Sequence, residues 1–183
     1  MKKFDVLNRI ASVGVVAVVR AENEEKAIKI SEACINGGVP AIEMTFTVPG
    51  AAKCIETLKK TFPADKLIVG AGTVLDSETA RAAILAGAEY IVSPGFDLDT
   101  AKLCNRYQVP YMPGCMTITE ILHAMEAGCD IIKLFPFQCN LQPRNTTSRK
   151  ALLPYYPDLG MEKCWLLQVT CHNRSFKTIA KGH

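Results

Sequence analysis

One lysine of this chain stands where lysines are seldom found. In Asp130-Ile131-Ile132-Lys133-Leu134-Phe135-Pro136 the cation sits among apolar neighbours, and a proline stops the run. The segment reads as a buried strand, and a lysine is rarely buried without a reason. Removing water disfavours the charged form of an amine, so burial lowers its pKa. A lysine held neutral at working pH is a nucleophile able to form a Schiff base with a carbonyl compound. The alternative is a strand-end lysine whose ammonium reaches solvent along its apolar stem.

An internal echo supplies a partner. Ala86-Gly87-Ala88-Glu89-Tyr90-Ile91-Val92-Ser93-Pro94 aligns with Ala127-Gly128-Cys129-Asp130-Ile131-Ile132-Lys133-Leu134-Phe135, and Asn36-Gly37-Gly38 opens the same unit once more. Five residues beyond the last glycine of each stand Glu43, Val92 and Lys133. Equal positions on equivalent strands imply equal facing, because side chains alternate along a strand. A carboxylate and an amine converging on one pocket make an acid/base pair for carbonyl chemistry. The alternative for Glu43 is a rim carboxylate or a structural ion pair. Other polar groups fall at strand ends: Arg20, Thr45, Thr47, Thr73 in Gly70-Ala71-Gly72-Thr73, Ser93-Pro94-Gly95 and Pro113-Gly114. Glycines there admit a ligand against the backbone, and a following helix N-terminus favours an anion. Plain turn chemistry is the competing explanation. The tyrosines and phenylalanines are scattered and read as core.

The elements that must carry these groups alternate. A short amphipathic helix is expected over 3–11, and Gly14-Val15-Val16-Ala17-Val18-Val19-Arg20 is a β-branched run typical of a strand buried on both faces. Helical periodicity over 23–36 ends at Gly37-Gly38. Strand two is expected at Ala41–Met44, then a helix from Pro49, a favoured first-turn residue, to Lys60. Strand three is expected at Lys66–Gly70, helix 76–86, strand four at Glu89–Val92, helix 97–106, strand five at Pro110–Met112 and helix 117–127 before the lysine strand. Six strands separated by five helices, one unit per roughly twenty residues, force parallel strands with right-handed crossovers. A closed eight-fold barrel and an open doubly wound sheet both satisfy this. No Gly-x-Gly-x-x-Gly turn follows the first strand, and the short loops favour the barrel.

Composition narrows the class. At 183 residues the chain has the length of one domain, and 49% apolar with 21% charged residues is an ordinary globular balance. A net charge of +3 is too small and scattered to argue for nucleic acid or an anionic membrane. No apolar run reaches the roughly 18 residues of a membrane span, and no small-residue cleavage site follows Val13–Val19, so no export signal is expected. Eight dispersed cysteines without such a signal read as reduced thiols of a cytoplasmic protein. The nearest approach to a metal motif, Cys164 with Cys171 and His172, matches no usual zinc spacing.

Five motifs in order carry a resemblance. Ile42-Glu43-Met44-Thr45, Gly70-Ala71-Gly72-Thr73-Val74, Ser93-Pro94-Gly95, Met112-Pro113-Gly114 and Ile132-Lys133-Leu134-Phe135-Pro136 together resemble the class I 2-keto-3-deoxy-6-phosphogluconate (KDPG) aldolases, which also cleave 4-hydroxy-2-oxoglutarate (KHG). The resemblance covers residues 1–136, as six βα units of the barrel. It implies a (β/α)8 TIM barrel, a homotrimer, a small 2-keto acid substrate, and no metal or organic cofactor. It also implies Lys133 as the Schiff-base lysine and Glu43 as the general acid/base. Thr73 and Gly72 are implied to hold the carboxylate end of the pyruvyl group, with Pro94 and Phe135 as further substrate contacts. Some members carry an arginine where this chain has Thr47, which shifts the expected anion contact to Arg20.

After Pro136 the resemblance breaks. The family continues with glycine-rich turns after strands seven and eight, the usual barrel phosphate site. Here residues 137–183 hold two glycines, Gly160 and Gly182, and neither begins such a motif. Strands seven and eight are therefore expected to be missing or degraded, although Cys164-Trp165-Leu166-Leu167-Gln168-Val169 has the make-up of one strand. A tail out of register with the family, as a shifted reading frame produces, and a divergent natural ending are the two explanations. A poorly ordered tail in the same domain and an exposed sheet edge at strand six follow from either. A working aldolase, an inactive fragment of one, and a non-enzymatic anion-binding scaffold built on Arg20 and the glycine turns are the three functional readings.

Overall fold

The structure, a computed structural model, describes residues 2–135 and 167–171. Helix α1 (Lys2–Val13) leads into β1 (Val15–Val19), and the chain then alternates: α2 (Glu24–Asn36), β2 (Ala41–Thr45), α3 (Ala51–Thr61), β3 (Ile68–Gly72), α4 (Ser77–Leu85), β4 (Ile91–Val92), α5 (Leu98–Tyr107), β5 (Tyr111–Met112). Then come β6 (Gly114–Cys115), α6 (Ile118–Glu126), β7 (Lys133–Leu134) and β8 (Leu167–Cys171). Caps set the helix starts. The side chains of Asn23, Asp76 and Asp97 accept from the backbone N–H of Lys26, Thr79 and Thr100, and Thr117 with Glu120 forms a reciprocal capping box. Each such cap is worth about 1 kcal/mol.

All strand pairs are parallel. One sheet runs β5-β4-β3-β2-β1-β8 and a second pairs β6 with β7. The two are one wall interrupted at Pro113, which has no N–H to give to a ladder. The Ser93 N–H donates to Met112 O (3.2 Å) and the Gly114 N–H to Ser93 O (2.9 Å), so the end of β4 bonds to both sides of the break. This is the order of a βα barrel, and among the described residues the wall does not close.

Four expectations are corrected. Strand three lies later than expected, at Ile68–Gly72, because the Lys66 and Leu67 N–H groups are spent on the Pro63 carbonyl in a turn. Helix α3 starts beyond Pro49, at Ala51, behind Gly50 in the left-handed region (φ 83). Among the described residues the lysine strand forms its ladder over Lys133–Leu134 alone, opposite Gly114 and Cys115. Strand eight is not missing: Leu167–Cys171 lies parallel beside β1 in full register, from Val15↔Leu167 to Val19↔Cys171. That is the place an eighth barrel strand takes. The expected barrel strand between the lysine strand and Leu167–Cys171, and the remainder of the tail, fall outside the described residues.

Alternation divides the core in two. Ala17, Val19, Ile42, Met44, Val69, Ala71 and Ile91 face outward and pack with helix residues such as Ala27, Ile55, Leu58, Ala80, Ala101 and Cys104. Val16, Ala41, Ile68, Tyr90, Val92 and Met112 face inward and meet Val6 and Ile10 of α1. Helix α1 therefore plugs the amino-terminal end of the wall. Ion pairs hold it there: Lys3 to Asp130 at 2.6 Å and Arg9 to Glu89 at 3.4 Å.

Candidate active site

With one end plugged, inward residues near the carboxyl ends of the strands line the open mouth, where barrels carry their chemistry. On β2, Glu43 and Thr45 alternate with the outward Ile42 and Met44; on β3, Gly70 and Gly72 alternate with the outward Val69 and Ala71. Glu43 lies opposite Gly70, and Thr45 opposite Gly72. Ile132 packs in the outer cluster and Ile131 against the inner one, so alternation turns Lys133 inward as well.

Glu43 is 2% exposed and Lys133 8%. Burial pushes the Glu43 carboxyl above the ordinary glutamate range, against the pull of the nearby cations Lys133 and Arg20. Burial likewise lowers Lys133, which Glu43 opposes and Arg20 reinforces. Each group moves toward its neutral form, as desolvation dictates. Two atoms of this set are buried without a hydrogen-bonding partner among the described residues: Glu43 Oε2 and Arg20 Nη1. Buried polar atoms normally find partners, and leaving one unmatched costs about 1–3 kcal/mol. An acceptor and a cationic donor left over in the same mouth are the features of a site built for a polar ligand.

A chain of hydroxyls borders the pair. Thr45 Oγ1 lies 3.1 Å from Thr47 Oγ1 and 2.8 Å from Thr73 Oγ1. Thr73 has φ 57, a strained backbone for a β-branched residue and one that clusters at functional sites. Gly72 has a packing reason to lack a side chain, since a Cβ there would lie 2.6 Å from Glu43 Oε1. The Phe135 ring centroid lies 4.7 Å from Lys133 Nζ and shields one side of the amine. Pro94 touches this group less directly. Its carbonyl occupies the space a Cβ on Gly114 would take, and no described contact joins it to Glu43 or Lys133.

The structure thus gathers Lys133, Glu43, Arg20, Gly72 and Phe135, with Thr47 and Thr73 linked through Thr45. Two residues outside the expected catalytic and substrate contacts belong with them: Thr45, noted only as a polar group at a strand end, and Tyr90. Thr45 joins the other two hydroxyls, and Tyr90, read as core, donates from its phenol to Ile42 O at 2.6 Å, immediately before Glu43. The signal for Tyr90 was its place in the repeat, two residues before Val92 and so on the same face.

Among the described residues no group of three His, Cys, Asp or Glu side chains is arranged to hold a metal, and no helix is long and apolar enough to cross a membrane. Cys164 and His172, and the Cys171 side chain, fall outside the described positions. Cys104, Cys115 and Cys129 are thiols in no disulfide, pushed up by burial to about 12, 11 and 12 respectively.

Comparison with known proteins gives this mouth a lineage. The chain is 40% identical over 133 residues to a 2-dehydro-3-deoxy-phosphogluconate aldolase of Treponema pallidum, covering 73% of this chain and 61% of that protein. It is 32% identical over 126 residues to the KHG/KDPG aldolase of Escherichia coli K12, covering 69% and 58%. The match therefore spans about three fifths of these curated relatives. The crystal structure of a Legionella pneumophila KDPG aldolase, with pyruvate captured at low pH as a covalent carbinolamine intermediate, shares the fold at TM-score 0.74 and 24% identity, over 93% of this chain and 86% of that one. The aldolase family model for KDPG and KHG aldolases matches residues 6–145, past the Pro136 break seen in the motifs. On that match the chain belongs to the KDPG and KHG aldolase family.

Proposed function

We propose that this protein is a class I aldolase whose Schiff-base lysine is Lys133 and whose general acid/base is Glu43. The observation that carries the reading is the buried Glu43–Lys133 pair at the barrel mouth, with both groups displaced toward neutrality. The neutral amine attacks the keto carbon of a 2-keto acid; loss of water from the carbinolamine leaves an iminium. The bond between C3 and C4 then breaks, its electrons flow into the iminium to give an enamine, and the C4 hydroxyl gives up its proton. Glu43, working through a water, takes and returns protons, including the one that converts the enamine to the pyruvyl iminium, and hydrolysis frees pyruvate.

The substrates we assign are 2-keto-3-deoxy-6-phosphogluconate, giving pyruvate and glyceraldehyde 3-phosphate, and 4-hydroxy-2-oxoglutarate, giving pyruvate and glyoxylate. In this reading Arg20 Nη1, with Thr73, Thr47 and the backbone at Gly72, takes the substrate carboxylate, which the unpartnered Nη1 and the linked hydroxyls support, and Phe135 covers the amine. Pro94 is assigned to the same pocket on the resemblance alone. The proposal carries a homotrimer as the assembly and the cytoplasm as the location.

The test is pyruvate release from each substrate, followed by coupled oxidation of NADH, with wild type and Lys133→Ala side by side. Release by wild type that is lost in the variant supports the assignment. A folded wild type that releases no pyruvate from either substrate overturns it in favour of an inactive relative or an anion-binding scaffold.

A further inference from the structure

Two inward glycines of β3 stand next to large groups from other strands. A Cβ on Gly72 would collide with the Glu43 carboxylate, and a Cβ on Gly70 would fall within the ring of Tyr90. Tyr90 immediately precedes β4, and its phenol donates to Ile42 O on β2 at 2.6 Å. In the strand order β4-β3-β2 the side chain passes over β3 to reach β2. Glycine at position 70 is what permits the crossing. Tyr90 is wholly buried, within the inner cluster that also holds Ala41, Ile68 and Val92. Burial, with Glu43 and Glu89 nearby, pushes the phenol well above its ordinary range, so it stays a donor at working pH.

The geometry points to Tyr90 as a positioning residue for Glu43: its hydroxyl anchors the carbonyl of Ile42, one residue before the acid/base, and its ring fills the layer beneath the carboxyl. This deepens the aldolase reading and rests on it. The Glu43 carboxyl is then confined from below by the ring, from the side by β3 at Gly72, and along the strand by the anchored peptide. A side chain confined in this way meets the proton it must move without reorganising, and small displacements of such groups are costly in rate.

Tyr90→Phe separates this from a purely structural role, since it keeps the ring and removes the anchor. Two quantities are read on the full chain, each against pyruvate concentration: borohydride trapping of the pyruvyl adduct on Lys133, and exchange of the pyruvate methyl protons in D2O by NMR. The expected result is wild-type half-saturation and yield of the adduct, with maximal exchange reduced roughly tenfold or more, within the range of acid/base contributions. Tyr90→Leu, which also removes ring area, is the packing control and should in addition lower the melting temperature. Exchange at the wild-type rate in Tyr90→Phe overturns the inference, as does a loss of adduct and exchange in equal proportion. If wild type itself neither traps nor exchanges, the aldolase reading falls and this inference falls with it.

Discussion

Among the described residues two glutamates are buried, one toward each end of the wall, and their surroundings are opposite. Glu89, near the amino end, is 8% exposed and fully engaged: Oε1 accepts from Lys59 at 2.8 Å and from the Val69 N–H at 3.2 Å, and Oε2 from Arg9 at 3.4 Å. Glu43, at the mouth, is 2% exposed and leaves Oε2 without a partner among the described residues. Burial with a full set of partners ties helices α1 and α3 to the sheet. Burial without one stores an unfavourable electrostatic state where a substrate can relieve it. On the proposed reading, the contrast divides the molecule into an end that holds the fold and an end that does chemistry, the division of labour known from βα barrels.

The largest effect that would break this contrast is on rate. Glu43→Gln keeps shape and burial but cannot relay a proton, so methyl exchange of pyruvate should fall by roughly 10²–10⁴ while the adduct on Lys133 still forms. Exchange at the wild-type rate would show that another group carries the proton. The next effect is on stability. Glu89→Ala strands Arg9 and Lys59, whose side chains are 32% and 23% exposed and so regain some hydration. The expected loss is about 2 kcal/mol in chemical denaturation, below the 3–5 kcal/mol of fully buried pairs. Exchange per folded molecule should be unaltered; a rate loss there would erase the division between the two ends.

The smallest effect is the pH dependence of stability. Glu43 binds its proton more tightly in the folded than in the unfolded chain, so the stability it contributes is present below 4.5 and is lost as pH rises through its higher folded value. Melting temperatures of wild type and Glu43→Gln should therefore diverge as pH is raised from about 5 to 8, the variant becoming relatively more stable. Lys133 is coupled to Glu43, so the difference reports the titration of the pair rather than of the carboxyl alone. A constant gap would contradict the displaced carboxyl.

Much of this was legible in the chain. The β-branched run of β1, the capped helices and the glycine-opened repeat are local patterns, so the alternation of elements and the pairing of Glu43 with Lys133 by position could be read directly. What could not be read depends on register. Gly70 and Gly72 look like turn glycines in isolation, and only their alignment with Glu43 and Thr45 reveals strand positions emptied for a phenol and a carboxylate. Tyr90 looked like core because its hydroxyl partner is a backbone carbonyl 48 residues away. Leu167–Cys171 had the composition of a strand, but its place beside β1 is a non-local choice that periodicity does not encode. Pro113 read as the end of strand five rather than a break within it, because pairing beyond the proline rests on Ser93 and Lys133 from other units.

The most direct measurement is the intact mass of the protein after incubation with pyruvate and borohydride, wild type beside Lys133→Ala. The account predicts one pyruvyl increment per chain in wild type, mapping to Lys133, and none in the variant. A folded wild type that gains no mass, or a variant that gains as much as wild type, would contradict it.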